Sequence, residues 1–340
     1  MAATDIVETL RPTARRLHVL AIGILLALAA WQPGAAWDTV WFVCVGLIHV
    51  APMVIPGVVL AAWLASSGAG DHVATVFQGR MAQTIVLATV VGAFLPVCGV
   101  TVLPLMAGLL AARVPLAPVM AFWLASPITG PAMLSATVAT LGWEYAIGKS
   151  AAAIGLGLFG GAVTALLSRK AWALDPLRSN RIVGSLRTPC GAGTGAVDVR
   201  IWASAERRAR FLRDSGSTTR LIILVLIPAF AAEFWLNALL EPNAVAAYVG
   251  RESSFAVPLA VLVGGPAYID GYAAMPLTRA LLEHGMSPGA AMAFMISGGV
   301  MSIWGAMAIA PVLRLKPFLL YLCLAVTGSM LAGWAFGALV

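Results

Sequence analysis

Apolar runs divided by short polar breaks organise this chain. Uninterrupted runs lie at about 17–31, 39–64, 116–141, 145–167, 221–240, 288–313 and 317–339. Most reach the roughly 20 residues that a helix needs to cross a hydrocarbon layer. Two further runs, 81–112 and 255–283, are broken near their middle. The first break reads Pro96-Val97-Cys98-Gly99, closing at Pro104, and the second reads Tyr268-Ile269-Asp270-Gly271, closing at Pro276. When the second half is laid on the first at one fixed offset, Cys98 falls on Asp270, Gly99 on Gly271 and Pro104 on Pro276. The same offset brings Leu109-Leu110 onto Leu281-Leu282, and Met120-Ala121-Phe122 onto Met292-Ala293-Phe294. Matching interruptions in two halves of an apolar chain are the sequence mark of a binding site built from discontinuous helices.

Composition turns these runs into membrane segments. The chain is 61% hydrophobic and 10% charged, whereas soluble domains carry about 25% charged residues. Lipid is the solvent that such a surface requires. The excess positive charge sits in one place: residues 169–220 hold eleven Lys/Arg against Asp175, Asp198, Glu206 and Asp214, and the rest of the chain balances. A cytoplasmic loop obeying the positive-inside rule accounts for it without a nucleic-acid partner. Within that loop, Val199 to Arg213 reads as a short interfacial helix with Trp202, Ala205, Ala209 and Leu212 on one face. Thr188 to Ala196 lacks the Gly-Lys-Ser/Thr ending of a phosphate-binding loop. The four cysteines, Cys44, Cys98, Cys190 and Cys323, show no CxxC spacing, so neither a disulfide framework nor a zinc knuckle follows. No cofactor is expected.

Charge placement selects a topology. If both broken segments crossed the membrane, an arginine-rich cytoplasmic N-terminus would put the basic loop outside. If each is a re-entrant hairpin, Arg80, Arg113, the basic loop, Arg314 and Lys316 all lie inside. The outside then carries Asp38, Glu144, Lys149, Glu241, Arg251, Glu252, Arg279 and Glu283. The expected fold is therefore an all-α polytopic membrane protein with an inverted-topology repeat, two re-entrant hairpins and about nine full transmembrane helices. Residues 1–38 form an N-terminal tail and extra first helix, retained rather than cleaved. Residues 39–168 are repeat 1 with hairpin 81–112, 169–220 the basic cytoplasmic loop, and 221–340 repeat 2 with hairpin 255–283. A helical arm over 81–97 is about 25 Å long, more than half of a ~30 Å core, so the hairpins must tilt or overlap.

Candidate chemistry clusters at the breaks. Irregular backbone at membrane depth is tolerated where protein or a watery cavity surrounds it, and Gly99 and Gly271 permit the turns. Cys98 offers a soft thiolate for Cu(I), Zn or a trivalent arsenic species; as a lone cysteine it also reads as a small apolar side chain. Asp270 and Glu233 are carboxylates inside apolar runs, the residue type that marks substrate or proton pathways, with His49 a weaker case. After each hairpin comes a polar, helix-breaking patch, from which Ser126, Thr129, Ser297 and Ser302 are substrate-contact candidates. Asp270, Glu233 and His49 are the proton-coupling candidates, and Cys98 with Asp270 the metal candidates. Arg279, Glu283 and His284 read as a solvated rim.

Pro96-Val97-Cys98-Gly99 with Pro104, followed by Met120-Ala121-Phe122-Trp123-Leu124-Ala125-Ser126-Pro127, resembles the signature of the ArsP/YraQ-type predicted permeases. Tyr268-Ile269-Asp270-Gly271 with Ser287 to Phe294 is similar to the family's second repeat. That family includes organoarsenical efflux permeases and proposed copper/zinc efflux proteins. The resemblance covers the chain from about Thr39 onward and implies a multi-pass permease of the bacterial inner membrane, with the family's cysteine role falling on Cys98. Family members often carry a cysteine in the second break. Asp270 stands there in this chain, which implies an oxygen-plus-sulfur site or a proton-coupled organic substrate.

The function expected is proton-coupled efflux of a metal, metalloid or organoarsenical by a secondary permease, its site between the two tips. The partners are the small solute and the bilayer, with a homo-oligomer left open. A channel using the breaks as a filter is the alternative, and an intramembrane enzyme using Cys98 a more distant one.

Overall fold

The computed structural model describes residues 33–67, 79–95, 102, 106, 109–110, 114–178, 200–239, 255–265, 274–301 and 312–340. Among these residues every regular element is helical, apart from one isolated bridge between Leu177 and Leu313. The first half contributes α1 (Pro33–Ser67), α2 (Met81–Phe94), α3 (Leu116–Ala125), α4 (Pro131–Leu141), α5 (Trp143–Leu166) and the short α6 (Ala171–Leu174). A 3₁₀ turn, Ile201–Ala203, precedes α7 (Ala205–Leu239), α8 (Ala256–Gly264), α9 (Ala274–Glu283), α10 (Pro288–Val300) and α11 (Leu315–Leu339).

The polarity of the bundle is that of a protein in lipid. Val86, Leu87, Val90, Val91 and Phe94 of α2, Ile147 and Ile154 of α5, and Leu319, Leu331 and Trp334 of α11 all face outward. Two hydroxyls, those of Thr89 and Thr164, are buried and bond within their own helix, to the Ile85 carbonyl at 2.9 Å and the Gly160 carbonyl at 2.6 Å. Such back-bonding leaves neither hydroxyl for hydrocarbon to solvate. α5 and α11 are long and apolar enough to span a membrane.

The offset that aligns the two breaks in the sequence also aligns the elements. It carries both ends of α1 onto both ends of α7, and each of the two helices has a proline at the shared position Pro56/Pro228. It likewise carries the start of α3 onto that of α10, and the start of α5 onto that of α11. Packing repeats too. A Cβ on Gly92 would stand 2.7 Å from the Phe122 carbonyl oxygen, and one on Gly264 would stand 2.8 Å from that of Phe294. Gly161 lies against Ile85 and Ala121, and Gly333 against Val257 and Ala293. Each half thus joins its broken-segment arm (α2 or α8), a buried short helix (α3 or α10) and a long helix (α5 or α11) by mutual contact.

The long helices α5 and α11 pack on each other. Tyr145 and Gly148 of α5 lie beside Phe336 of α11, while Leu156 lies beside Gly328. Rising numbers on one helix face falling numbers on the other, so the pair is antiparallel. Leu156 and Gly328 are themselves equivalent positions of the two halves, as are Pro127 and Gly299, whose backbones also meet. α1 and α7 pack on each other with their own small core of Val43, Val58, Leu226, Phe230 and Ala231. Phe42 faces Phe234, and Gly46 faces Phe230, again antiparallel.

Several expectations change. The run 116–141 is two helices, because Ser126 to Gly130 leave the helix and Pro131 begins a new one. Pro127 and Pro131 cannot donate to carbonyls one turn back, which ends α3 there. Of the interfacial helix expected over 199–213, Ile201–Ala203 is a 3₁₀ turn and the part from Ala205 is the start of the long α7, and Trp202, Ala205, Ala209 and Leu212 form an exposed face of that region. Lys149, expected among the outer charges, is buried in α5 and only 3% exposed. The first expected helix, 17–31, lies outside the described residues.

Residues from the basic loop and from the segment entering α11 lie at one end. Arg178 donates its backbone N–H to the Val312 carbonyl at 2.9 Å and its Nε to the Leu313 carbonyl at 2.6 Å. Arg314 pairs with Asp175 at 2.5 Å. α2 runs antiparallel to α5, with Ile85 against Gly161 and Thr89 against Gly157, so Arg80 lies toward this same end.

Candidate functional site

The interior of the bundle is built on α3 and α10. All ten residues of α3 are buried, and so is α10 from Gly289 to Val300 apart from the half-buried Gly299. A helix that is apolar all round belongs in a core, and at 10 and 13 residues neither spans a bilayer alone. Each ends inside the protein. Their C-terminal ends meet where the Pro127 carbonyl approaches Gly299, close in sequence to the last-turn carbonyls that no further helical turn can satisfy.

Side chains hold these ends. Thr129, 6% exposed, donates its hydroxyl to the Ala93 carbonyl at 2.8 Å, tying the break after α3 to the last turn of α2. Ser297 is fully buried and donates to the Phe294 carbonyl at 3.1 Å, against the close approach of Gly264. Ser126 is buried beside Pro127. Tyr321 of α11 stacks on Trp123 of α3 with ring centroids 3.9 Å apart and planes 6° apart. Its hydroxyl donates to the Val300 carbonyl at the end of α10. Among the described residues Trp123 Nε1 is buried without a hydrogen-bond partner.

Three of the expected contact residues, Ser126, Thr129 and Ser297, therefore lie in this seam. Cys98, Gly99, Asp270, Gly271 and Ser302 lie outside the described residues, and with them the metal pair Cys98/Asp270. Glu233 is on α7, but its side chain is likewise outside what is described. His49 is exposed on α1, its Nδ1 3.1 Å from the Val45 carbonyl, on a helix that packs mainly on α7. Arg279 and Glu283 pair at 3.1 Å on an exposed face, where Arg279 also caps the Thr140 carbonyl at the end of α4. His284 is exposed. Among the described residues no three His, Cys, Asp or Glu side chains gather as a metal site would require.

Sequence reasoning missed Lys149, Tyr321 and Trp123. Lys149 falls inside the apolar run 145–167, with Tyr145, Ala153, Leu156 and Gly160 on its helical face. A cation on that small and apolar stripe was the available signal. Tyr321 is its equivalent in the second half.

A helical membrane protein with short buried helices ending in its interior is the class defined by this geometry. The predicted-permease family ArsP_1 matches residues 39–338, nearly the whole of the chain. The chain belongs to that family. It is also 32% identical over 145 residues to the UPF0718 protein MJ0584 of Methanocaldococcus jannaschii, a match covering 43% of this chain and 40% of that protein. The match thus spans about two fifths of that relative's length. No solved structure matches. The family points to transport rather than catalysis.

Proposed function

We propose that the protein is a gradient-driven permease whose solute passes along the seam between two halves of opposite orientation. The observation that carries this reading is the antiparallel crossing of α5 and α11 at the equivalent residues Leu156 and Gly328. Two copies of one unit, packed head to tail with half-helices ending between them, are the architecture on which alternating access is built. The broken segments 81–112 and 255–283 then enter from opposite sides as re-entrant hairpins. Their tips bring Cys98-Gly99 and Asp270-Gly271 toward the ends of α3 and α10, with Ser126, Thr129, Ser297 and Ser302 around them. In this arrangement 39–168 and 221–340 are the two repeats. The N-terminus and the loop 169–220 are cytoplasmic, and the membrane is the bacterial inner membrane.

The solute read from the resemblance is a metal, metalloid or organoarsenical carried outward, with Cys98 as its soft ligand. Asp270 and Glu233 are the carboxylates whose protonation couples export to the proton gradient, as intramembrane acids do in pumps and transporters. His49, exposed on α1, is the weakest member of that set.

A sensitivity screen tests the substrate reading. Cells lacking or overproducing the protein are challenged with copper, zinc, arsenite, methylarsenite and mercury, beside Cys98→Ser and Asp270→Asn variants. Overproduction should protect against one toxicant, and both variants should lose that protection. Protection by neither the wild type nor any variant, against any of the five, would refute a metal or metalloid substrate. Orientation is checked by labelling single cysteines from outside the cell. Positions 144 and 283 should react, and positions 170 and 316 should not.

A further inference from the structure

Lys149 is the one lysine buried among the described residues, at 3% exposure. It lies six residues into α5, about 9 Å along the axis from Trp143. Lysines near the ends of membrane helices normally extend their ammonium to the interface; a snorkelling side chain would remain exposed, and this one is enclosed by protein. Among the described residues its ammonium has neither a carboxylate nor a hydrogen-bond partner. Ionisable groups inside membrane segments are costly and mark pathways.

The duplication says where this side chain looks. Its equivalent, Tyr321, points into the seam and donates to the Val300 carbonyl at the end of α10. The counterpart of Val300 is Ile128, in the break after α3 between Ser126 and Thr129. The second half closes that position with an aromatic ring and a satisfied hydroxyl. By the same equivalence the first half assigns that position to a cation with three N–H donors. We infer that Lys149 is a solute-binding residue whose ammonium holds an anionic oxygen, making the transported species, or one part of it, a small oxyanion. The assignment rests on the permease reading and departs from its soft-metal form: a small oxyanionic group fits Lys149, while a bare metal cation is repelled by it.

The test uses the full-length protein in detergent, titrated calorimetrically with methylarsonate, arsenate and inorganic phosphate as anions and with methylarsenite as the neutral comparison. Wild type should bind at least one anion. Lys149→Met and Lys149→Gln should weaken that binding at least about tenfold, the factor expected on losing a charge-assisted hydrogen bond, and Lys149→Arg should retain most of it. Absence of anion binding by wild type overturns the assignment without any variant. So does equal binding by wild type and Lys149→Met. Loss of thermal stability in Lys149→Met that is restored by adding Asp270→Asn would identify an internal ion pair and also overturn it. Anion binding that depends on Lys149, in a protein that moves no solute in vesicles, would leave Lys149 assigned and refute the permease. Saturable flux of methylarsenite or copper untouched by Lys149→Met would do the reverse.

Discussion

Replacing Gly92 by alanine tests the packing that joins a broken arm to its central helix. The new Cβ would stand 2.7 Å from the Phe122 carbonyl oxygen, where ordinary contact begins near 3.4 Å. The obstacle is backbone, so no rotamer change relieves it, and α2 must move from α3 by about 0.7 Å. Overpacking of this kind costs about 1–3 kcal/mol, which lowers the unfolding midpoint by about 1–4 °C in a protein of this size. The equivalent substitution Gly264→Ala meets the Phe294 carbonyl at 2.8 Å and should cost the same within about 1 kcal/mol. Gly155, on the same kind of helix with nothing within 4 Å, supplies the control. There alanine should be neutral or stabilising by up to about 1 kcal/mol, through helix propensity alone. Thermal unfolding of the three purified variants in one detergent decides the matter. If Gly92→Ala and Gly264→Ala behave like Gly155→Ala, the close approach is not what joins each arm to its central helix.

Other substitutions probe the seam and its cytoplasmic end. Tyr321→Phe leaves the Val300 carbonyl without its hydroxyl donor in a buried place, and should cost about 1–3 kcal/mol by thermal unfolding. Asp175→Asn breaks a pair whose side chains are 45% and 53% exposed, so its cost should stay under about 1 kcal/mol. Burial raises the Asp214 carboxyl above its usual range, against the pull of Arg210 and Arg213. A raised folded pKa means that ionisation opposes folding, so stability is lost as pH rises through the carboxylate range. Unfolding midpoints measured from pH 4 to 7 should therefore show wild type losing ground to Asp214→Asn; the opposite slope would refute it.

Much of the architecture could be read from residue identity, because duplicated packing preserves the residues that pack. Met120-Ala121-Phe122 and Met292-Ala293-Phe294 recur because Ala121 and Ala293 receive Gly161 and Gly333, while Phe122 and Phe294 present their carbonyls to Gly92 and Gly264. The division of the run 116–141 was harder to see. A buried half-helix is apolar on every side, so α3 has the composition of a membrane span, and its length shows only once Pro127 and Pro131 are seen to end and restart the helix. Lys149 was misread because charges were assigned to the nearest loop, whereas its burial comes from the packing of α5. The stacked pair Trp123–Tyr321 joins residues from different halves, and no local pattern announces such a contact. Of the expected site, the hydroxyl residues Ser126, Thr129 and Ser297 could be placed because they sit at helix ends that the structure describes.

The central claim is that solute crosses between the halves by a carrier mechanism driven by the proton gradient. Its most direct test is flux in proteoliposomes, using the toxicant against which overproduction protects cells and an imposed pH gradient. A carrier predicts flux that saturates with solute, collapses on adding an uncoupler, and is lost in Cys98→Ser and Asp270→Asn. Flux that rises linearly with solute and continues unchanged with the uncoupler would contradict it and make the seam a pore.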